Sequence, residues 1–210
     1  MTSRPHFRLG VAAAALLFAA CASAPPTRFH SLLPAEPARA SAPAAPGDAV
    51  AIVLDPVRIP PQVDQPQWLV RVPDGSLQLL EQDRWAAPLR DELHAALLEA
   101  LALRWAAVEP GSAAPGAARP WRITVDLVRF ESVLGREARV EARWRIVAPA
   151  GNAPGAACTS LLRENAESTL ALAQGHQRIV VRLADEIGTT LRALVRGTAA
   201  TGCPVSPAAG

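Results

Sequence analysis

A cysteine at position 21, set directly behind Leu16-Leu17-Phe18-Ala19-Ala20, decides how much of this chain is available to fold. Arg4 and Arg8 give a positive start, Leu9 to Ala20 an apolar run too short to span a bilayer, and Ala19-Ala20 the small residues a signal peptidase requires. Read this way, residues 1–20 are a signal peptide and Cys21 is the lipobox cysteine of a bacterial lipoprotein. Its thiol would carry diacylglycerol and its new amine an acyl chain such as palmitate. Two or more chains hold stably, because each buried CH₂ contributes about 0.8 kcal/mol. Phe18 stands where Leu is usual, and an ordinary secretory signal cut after Ala20 or Ala22, with Cys21 incidental, stays open as the alternative.

What remains is one domain of ordinary size. Residues 21–48 read as a lipidated N-terminus with a short strand and an Ala/Pro-rich segment, residues 49–199 as a single domain, and residues 200–210 as a C-terminal tail. The formal charge of +2 comes from Arg4 and Arg8, which leave with the signal. A balanced chain without a clustered basic excess argues against a general nucleic-acid or anionic-lipid binder. Cys158 and Cys203 remain as a possible disulfide pair in an oxidising compartment, with two unpaired thiols as the alternative. Four scattered histidines and no CxxC give no metal site.

Along the chain, Thr27 to Leu33 alternates well enough for a short strand, and Pro34 to Asp48 reads as an extended loop or spacer. Val50 to Val57 is an apolar strand, Pro56, Pro60 and Pro61 break it, and Gln67 to Val72 is a second strand. Asp74-Gly75 turns the chain into a returning strand, Ser76 to Leu80. From Trp85 to Trp105 the period is helical, with Leu89, Leu93, Leu97 and Leu101 on one stripe, Pro88 in the first turn and His94 on a solvated face. Trp121 to Leu127 alternates, and the phase flips at Val128, which a β-bulge explains.

Ala138 to Ile146 alternates cleanly, with Arg139, Glu141, Arg143 and Arg145 opposite the apolar set. Those charges, with Arg129 and Glu131, read as a solvated sheet face laced with cross-strand ion pairs, or as a binding surface. Cys158 to Glu167 is a further strand and Gln174 to Arg196 a second amphipathic helix ended by Gly197. The order predicts an α+β fold: a mixed, largely antiparallel sheet with two amphipathic helices packed on one face.

No GxSxG, HExxH, Walker loop or dinucleotide turn is present, and Cys158 with His176 is the one Cys/His combination to weigh. The reading is of a protein that is not an enzyme and needs no cofactor beyond its covalent lipid.

The stretch Ile59-Pro60-Pro61-Gln62-Val63-Asp64-Gln65-Pro66-Gln67-Trp68-Leu69-Val70-Arg71, followed by Arg84-Trp85-Ala86-Ala87-Pro88-Leu89, resembles the ABC-type transport auxiliary lipoprotein family, the PqiC- or YmbA-like proteins. Phe29-His30-Ser31-Leu32 is similar to that family's early strand, with His30 in place of Tyr. The departures are Trp68 in place of an aliphatic residue, the Ala/Pro insertion before Val50, and the Cys158/Cys203 pair.

The resemblance implies a non-catalytic lipoprotein in the inner leaflet of the outer membrane. It would work with an MCE-type periplasmic protein and an ABC or inner-membrane partner to move lipid between membranes. Ala22, rather than Asp, carries no inner-membrane retention signal under the rule implied for enteric relatives.

The stiff proline-rich loop suits docking, since it loses little entropy on binding. The candidate docking residues are Pro60, Pro61, Gln65, Pro66, Gln67, Trp68 and Arg71, with Trp68 equally assignable to the core and Trp85 expected there. Two other functions compete. One is an outer-membrane lipoprotein that regulates a periplasmic enzyme such as a cell-wall synthase, which needs a long tether. The other is a lipid carrier, which needs an apolar pocket of several hundred Å³.

Overall fold

The computed structural model describes residues 25–35, 49–109, 119–149, 155–198 and 203. The signal segment, Cys21, most of the Ala/Pro stretch, residues 110–118 and 150–154 and most of the tail lie outside the described residues. In chain order the elements are β1 (Arg28–His30), β2 (Val50–Leu54), a 3-10 turn (Pro61–Val63), β3 (Gln67–Arg71), β4 (Leu77–Trp85), α1 (Leu89–Trp105), β5 (Ala107–Val108), β6 (Trp121–Val133), β7 (Glu137–Val147), β8 (Ala156–Asn165) and α2 (Thr169–Val195).

This is the expected α+β layout. β6 is the trunk of an eight-stranded mixed sheet. One side of it pairs antiparallel with β7 along nearly its whole length, and β7 pairs antiparallel with β8. The other side is shared: β2 lies parallel to its start, at Ile52↔Trp121, and β3 meets its end, at Arg71↔Val133. β4 returns antiparallel to β3, and β1 adds a parallel edge strand on β4. The register between β6 and β7 shifts between Leu127 and Arg129, which is the bulge that the phase flip at Val128 predicts. Gly75 and Gly135, both at positive φ, turn β3 into β4 and β6 into β7.

The even-numbered residues of β7 (Ala138, Val140, Ala142, Trp144, Ile146) and Ile123, Val125 and Leu127 of β6 face the helices and are buried. α2 lies across β7 and β8, and α1 packs beside it. The helix contact depends on a missing side chain. A Cβ at Gly188 would lie 2.3 Å from the Trp105 ring, so only glycine leaves room for that indole. Asp185 then accepts from the Trp105 indole at 3.0 Å and from the Arg104 guanidinium at 2.6 and 2.7 Å.

Several boundaries differ from the expectation, each for a local reason. Trp85 ends β4 rather than opening α1, because the helix starts behind Pro88, whose ring fits the position before the first turn. β4 runs on from Leu77 to Trp85 because β1 pairs with its second half. α2 begins at Thr169, five residues early, where the Ser168 side chain accepts from the Ala171 amide. His94 is not solvated: it is half-buried and its Nε2 lies 3.1 Å from the Leu54 carbonyl, tying α1 to β2.

Candidate functional site

The predicted docking residues separate by strand alternation. Trp68 sits on the inner side of β3 and is 1% exposed, so it belongs to the core and not to a docking surface. Pro60 is buried as well. Pro61 and Pro66 are exposed, Gln65 and Gln67 half-buried, and the Gln65 amide closes the loop on the Gln62 carbonyl at 3.1 Å. Arg71 is occupied: it donates to Glu131 at 3.0 Å and to the Gly75 carbonyl at 2.6 Å. Buried Val63 pins the 3-10 turn inward, and Asp64 pairs with Arg90 of α1.

Beneath β3 lies an aromatic cluster of Trp68, Trp85, Phe130, His30 and His176. Trp68 and Trp85 centroids are 4.6 Å apart, and His176 stacks on Phe130 at 4.0 Å. The Trp68 indole donates to Ser132 Oγ at 2.9 Å, and the same oxygen is hydrogen-bonded with Nε2 of His176 at 2.8 Å. A serine against a histidine invites a catalytic reading, but both side chains are buried among aromatic and aliphatic neighbours and meet no cleft. His176 Nδ1 has no hydrogen-bond partner among the described residues, and burial pushes the imidazole pKa down to about 3. Cys158 is bonded to Cys203, which removes it as a nucleophile.

Two buried carboxylates fasten the chain around β1. Asp83 accepts from Arg28 and from His30, both at 2.7 Å. Burial opposes its charge, but those two hydrogen bonds prevail and hold the carboxyl below its ordinary value. Glu92 of α1 accepts from the Ser31 hydroxyl at 2.7 Å and the Leu32 amide at 2.8 Å, while Gln177 of α2 donates to the Ser31 carbonyl. Leu32, 1% exposed, is thereby held between the helices. Sequence reading missed this arrangement, since two acids in separate elements give no spacing signal. A strand as short as β1 needs side-chain partners to stay in place, and that need was the available hint.

The outer face of the sheet is charged and wet. Glu131 gathers Arg71, Arg129 and Arg139, and Arg129 reaches Glu141 at 3.7 Å, which gives the cross-strand pairs read from the alternation. Farther along, Arg58 pairs with Asp126, and Arg122 with Asp55. An open cleft of about 740 Å³ sits there, bordered by Arg58, Thr124, Arg143, Arg145, Thr159 and the Cys158–Cys203 bridge. Arg143 and Arg145 are exposed and form no ion pair among the described residues.

With this geometry in place, the model of the ABC-type transport auxiliary lipoprotein component family matches residues 30–188. The chain belongs to that family. The matched span runs from β1 into α2, so it takes in the carboxylate-bound segment, the aromatic cluster and the charged face. This auxiliary lipoprotein is similar in fold to the crystal structure of an uncharacterized protein, with a TM-score of 0.61 and 11% identity over 80% of this chain and 99% of the other. It is also similar to protein XCC0632 from Xanthomonas campestris, of the DUF330 family, with a TM-score of 0.58 and 18% identity over 81% and 96% of the two chains. No curated protein matches it in sequence. Membership makes this auxiliary lipoprotein a membrane-anchored protein facing the periplasm and an auxiliary part of ABC-type transport. Among the described residues no helix is long and apolar enough to cross a membrane, and no cluster of His, Cys, Asp or Glu is arranged to hold a metal.

Proposed function

We propose that the protein is a non-catalytic accessory lipoprotein of an ABC- and MCE-type intermembrane lipid transport system. In this reading acyl chains on Cys21 hold it in the inner leaflet of the outer membrane, where it docks a periplasmic MCE-type protein that links it to an inner-membrane partner. The family match over residues 30–188 carries the reading.

Two features support tethering over lipid carriage or catalysis. The space between β1's trailing segment and the helices, bounded by Leu32, Pro34, Ala96 and Gln177, amounts to about 10 Å³, and the cleft of about 740 Å³ on the outer face is open and bordered by Arg58, Arg143 and Arg145, so neither is the apolar pocket of several hundred Å³ that a lipid carrier needs. The Ser132–His176 pair is sealed in the core, where no substrate reaches it. Pro61, Gln65, Pro66 and Gln67 form the docking ridge: proline-stiffened, and braced from below by Val63 and Arg90.

Regulation of a cell-wall synthase fits less well. The Ala/Pro stretch that would serve as a long tether lies between β1 and β2, inside the folded unit. Only the short stretch from Cys21 to Arg28 is left as tether, with a reach of about 25 Å at full extension. Photo-crosslinkers placed at Pro61 and Pro66 in intact envelopes test the proposal. The expected adduct is an MCE-type protein; an adduct with a peptidoglycan synthase would replace this reading with the regulatory one.

A further inference from the structure

The direction of β1 says which part of the molecule a Cys21 anchor holds to lipid. β1 runs parallel to β4, with Arg28 opposite Asp83 and His30 opposite Trp85, so the chain arrives at Arg28 from the side where β4 begins. That side is one end of the sheet. Leu77 opens β4 there, opposite Arg71. The β6–β7 turn lies next to it, with the Leu134 amide donating to the Arg71 carbonyl at 2.9 Å. The start of α2 joins them, since the Ala166 amide donates to the Arg136 carbonyl at 2.9 Å.

Reach then restricts the orientation. β4 slips against β3 between Gln67 and Trp68, so Leu77 lies opposite Arg71 and Arg84 opposite Gln67, four β3 residues apart, which puts Leu77 roughly 10 Å along the sheet from the level of Arg28. The stretch from Cys21 to Arg28 spans at most about 25 Å. A fully extended anchor segment therefore passes this end by at most about 15 Å. Arg145, by contrast, stands eight residues beyond Glu137 on β7, roughly 27 Å up the sheet from the same end. Large apolar side chains are exposed where the tether confines the domain: Leu77 at 52%, Leu170 at the start of α2 at 62%, and Phe29 of β1 at 66%. Single exposed apolar residues are ordinary, but three along the tethered side of a lipid-anchored domain have a lipid surface within reach.

We propose that this end of the domain, with Leu77 and Leu170 foremost and Phe29 beside the tether, rests on the bilayer that holds the Cys21 acyl chains. The Arg143/Arg145 cleft and the disulfide then point away from it. The proposal rests on the reading of Cys21 as the lipid anchor.

Its test uses the full lipidated protein in phosphatidylcholine–phosphatidylglycerol vesicles containing nitroxide-labelled lipid. With Cys21 acylated and Cys158 bonded to Cys203, a single new cysteine is the one reactive thiol, and an environment-sensitive dye is attached in turn to L77C, L170C, R145C and L161C. The expected result is about twofold quenching at positions 77 and 170 and none at 145 and 161, as for side chains in and out of contact with the headgroup boundary. Equal quenching at all four positions, or stronger quenching at 145, would overturn the orientation while leaving the anchor intact. Dyes at 77 and 170 shielded by raised protein concentration and not by lipid would assign this end to a second copy instead. Failure to enter vesicles together with an unmodified Cys21 mass would remove the anchor reading and this one with it.

Discussion

The two ends of the folded chain are both fastened to the sheet, and the chemistry of the fastenings has little in common. At the front, the segment from Arg28 to Leu33 is held by hydrogen bonds to Asp83, Glu92 and Gln177, and it contributes Leu32 to the core. At the back, Cys203 is exposed and is held by one covalent bond to Cys158, with Cα atoms 5.5 Å apart. The front fastening is therefore part of the native packing, whereas the back one acts mostly on the unfolded chain by closing a loop. Under the proposed Cys21 anchor the difference has a use: tension from the membrane would arrive where the core itself resists it. The two ends should fail to different perturbations, reduction at one and acid at the other.

The largest effect is expected at the back. Removing a bridge across a sequence separation of 45 costs about 4 kcal/mol in the loop-entropy picture. Cys203→Ser should lower the denaturant midpoint accordingly while leaving the near-ultraviolet circular dichroism of the tryptophans unchanged. Reductant should reproduce the shift in wild type and do nothing to the variant. A variant that lost tryptophan signal as well would show that Cys203 organises the core and would erase the contrast.

Acid comes second and acts on the aromatic core, which the front segment joins through His30 against Trp68. His176 takes a proton near pH 6.5 when unfolded but not until about pH 3 when folded, because burial excludes the charged ring. The unfolded state thus binds more protons between those values. Stability is full above pH 6.5 and falls by about 1.4 kcal/mol per unit below it, or about 3 kcal/mol by pH 4.5. His176→Phe keeps a ring against Phe130 and should flatten this slope in denaturation measured across pH 4.5 to 7. A slope that survived the substitution would place the sensitive group elsewhere.

The third effect, about 2 kcal/mol, belongs to Asp83. Asp83→Asn leaves His30 and Arg28 without their charged acceptor. Because the folded carboxyl titrates below its ordinary value of 3.8, its contribution is present above that pH and is lost as pH falls through the lowered folded value. Above pH 4.5 the Asp83 carboxyl adds no proton uptake of its own, so Asp83→Asn should leave the slope that His176→Phe removes in place.

How much of this was legible in the sequence depends on whether a feature repeats. The alternation of Ala138 to Ile146 gave β7 and its faces, the slip at Val128 gave the bulge, and the leucine spacing gave α1. Cys158 and Cys203 were legible as a possible pair because only two thiols remained once Cys21 was set aside. The loop ahead of β3 was partly legible. Proline marked the loop, but whether Trp68 faced in or out depended on the phase of β3, and five residues are too few to show it; Ser132, its buried partner, is 64 positions away. β1 was legible as a short strand within Thr27 to Leu33, but its partners were not: Asp83, which holds Arg28 and His30, and Glu92, which holds Ser31 and Leu32, looked like any acids on a strand and a helix.

Glu92→Gln gives the smallest effect, and Glu92 the sharpest discrimination between the two fastenings. It is 5% exposed, although it lies in the first turn of α1, where a carboxylate also interacts favourably with the helix dipole. Two roles are thus superposed: acceptor for the Ser31 hydroxyl and the Leu32 amide, and charge at the helix start. Glu92→Gln keeps an acceptor oxygen in place and removes the charge, so it should cost about 1 kcal/mol, the span of a dipole interaction plus a weakened hydrogen bond. Glu92→Ala removes both and should cost about 2 kcal/mol more, since the buried Leu32 amide is left without an acceptor. Hydrogen exchange at the Leu32 amide reads the second role alone. Its protection should persist in Glu92→Gln, drop in Glu92→Ala, and stay unchanged in Cys203→Ser. Loss of protection at Leu32 on cutting the disulfide would mean that the two fastenings are coupled through the sheet, and the independence of the chain's two ends would have to be given up.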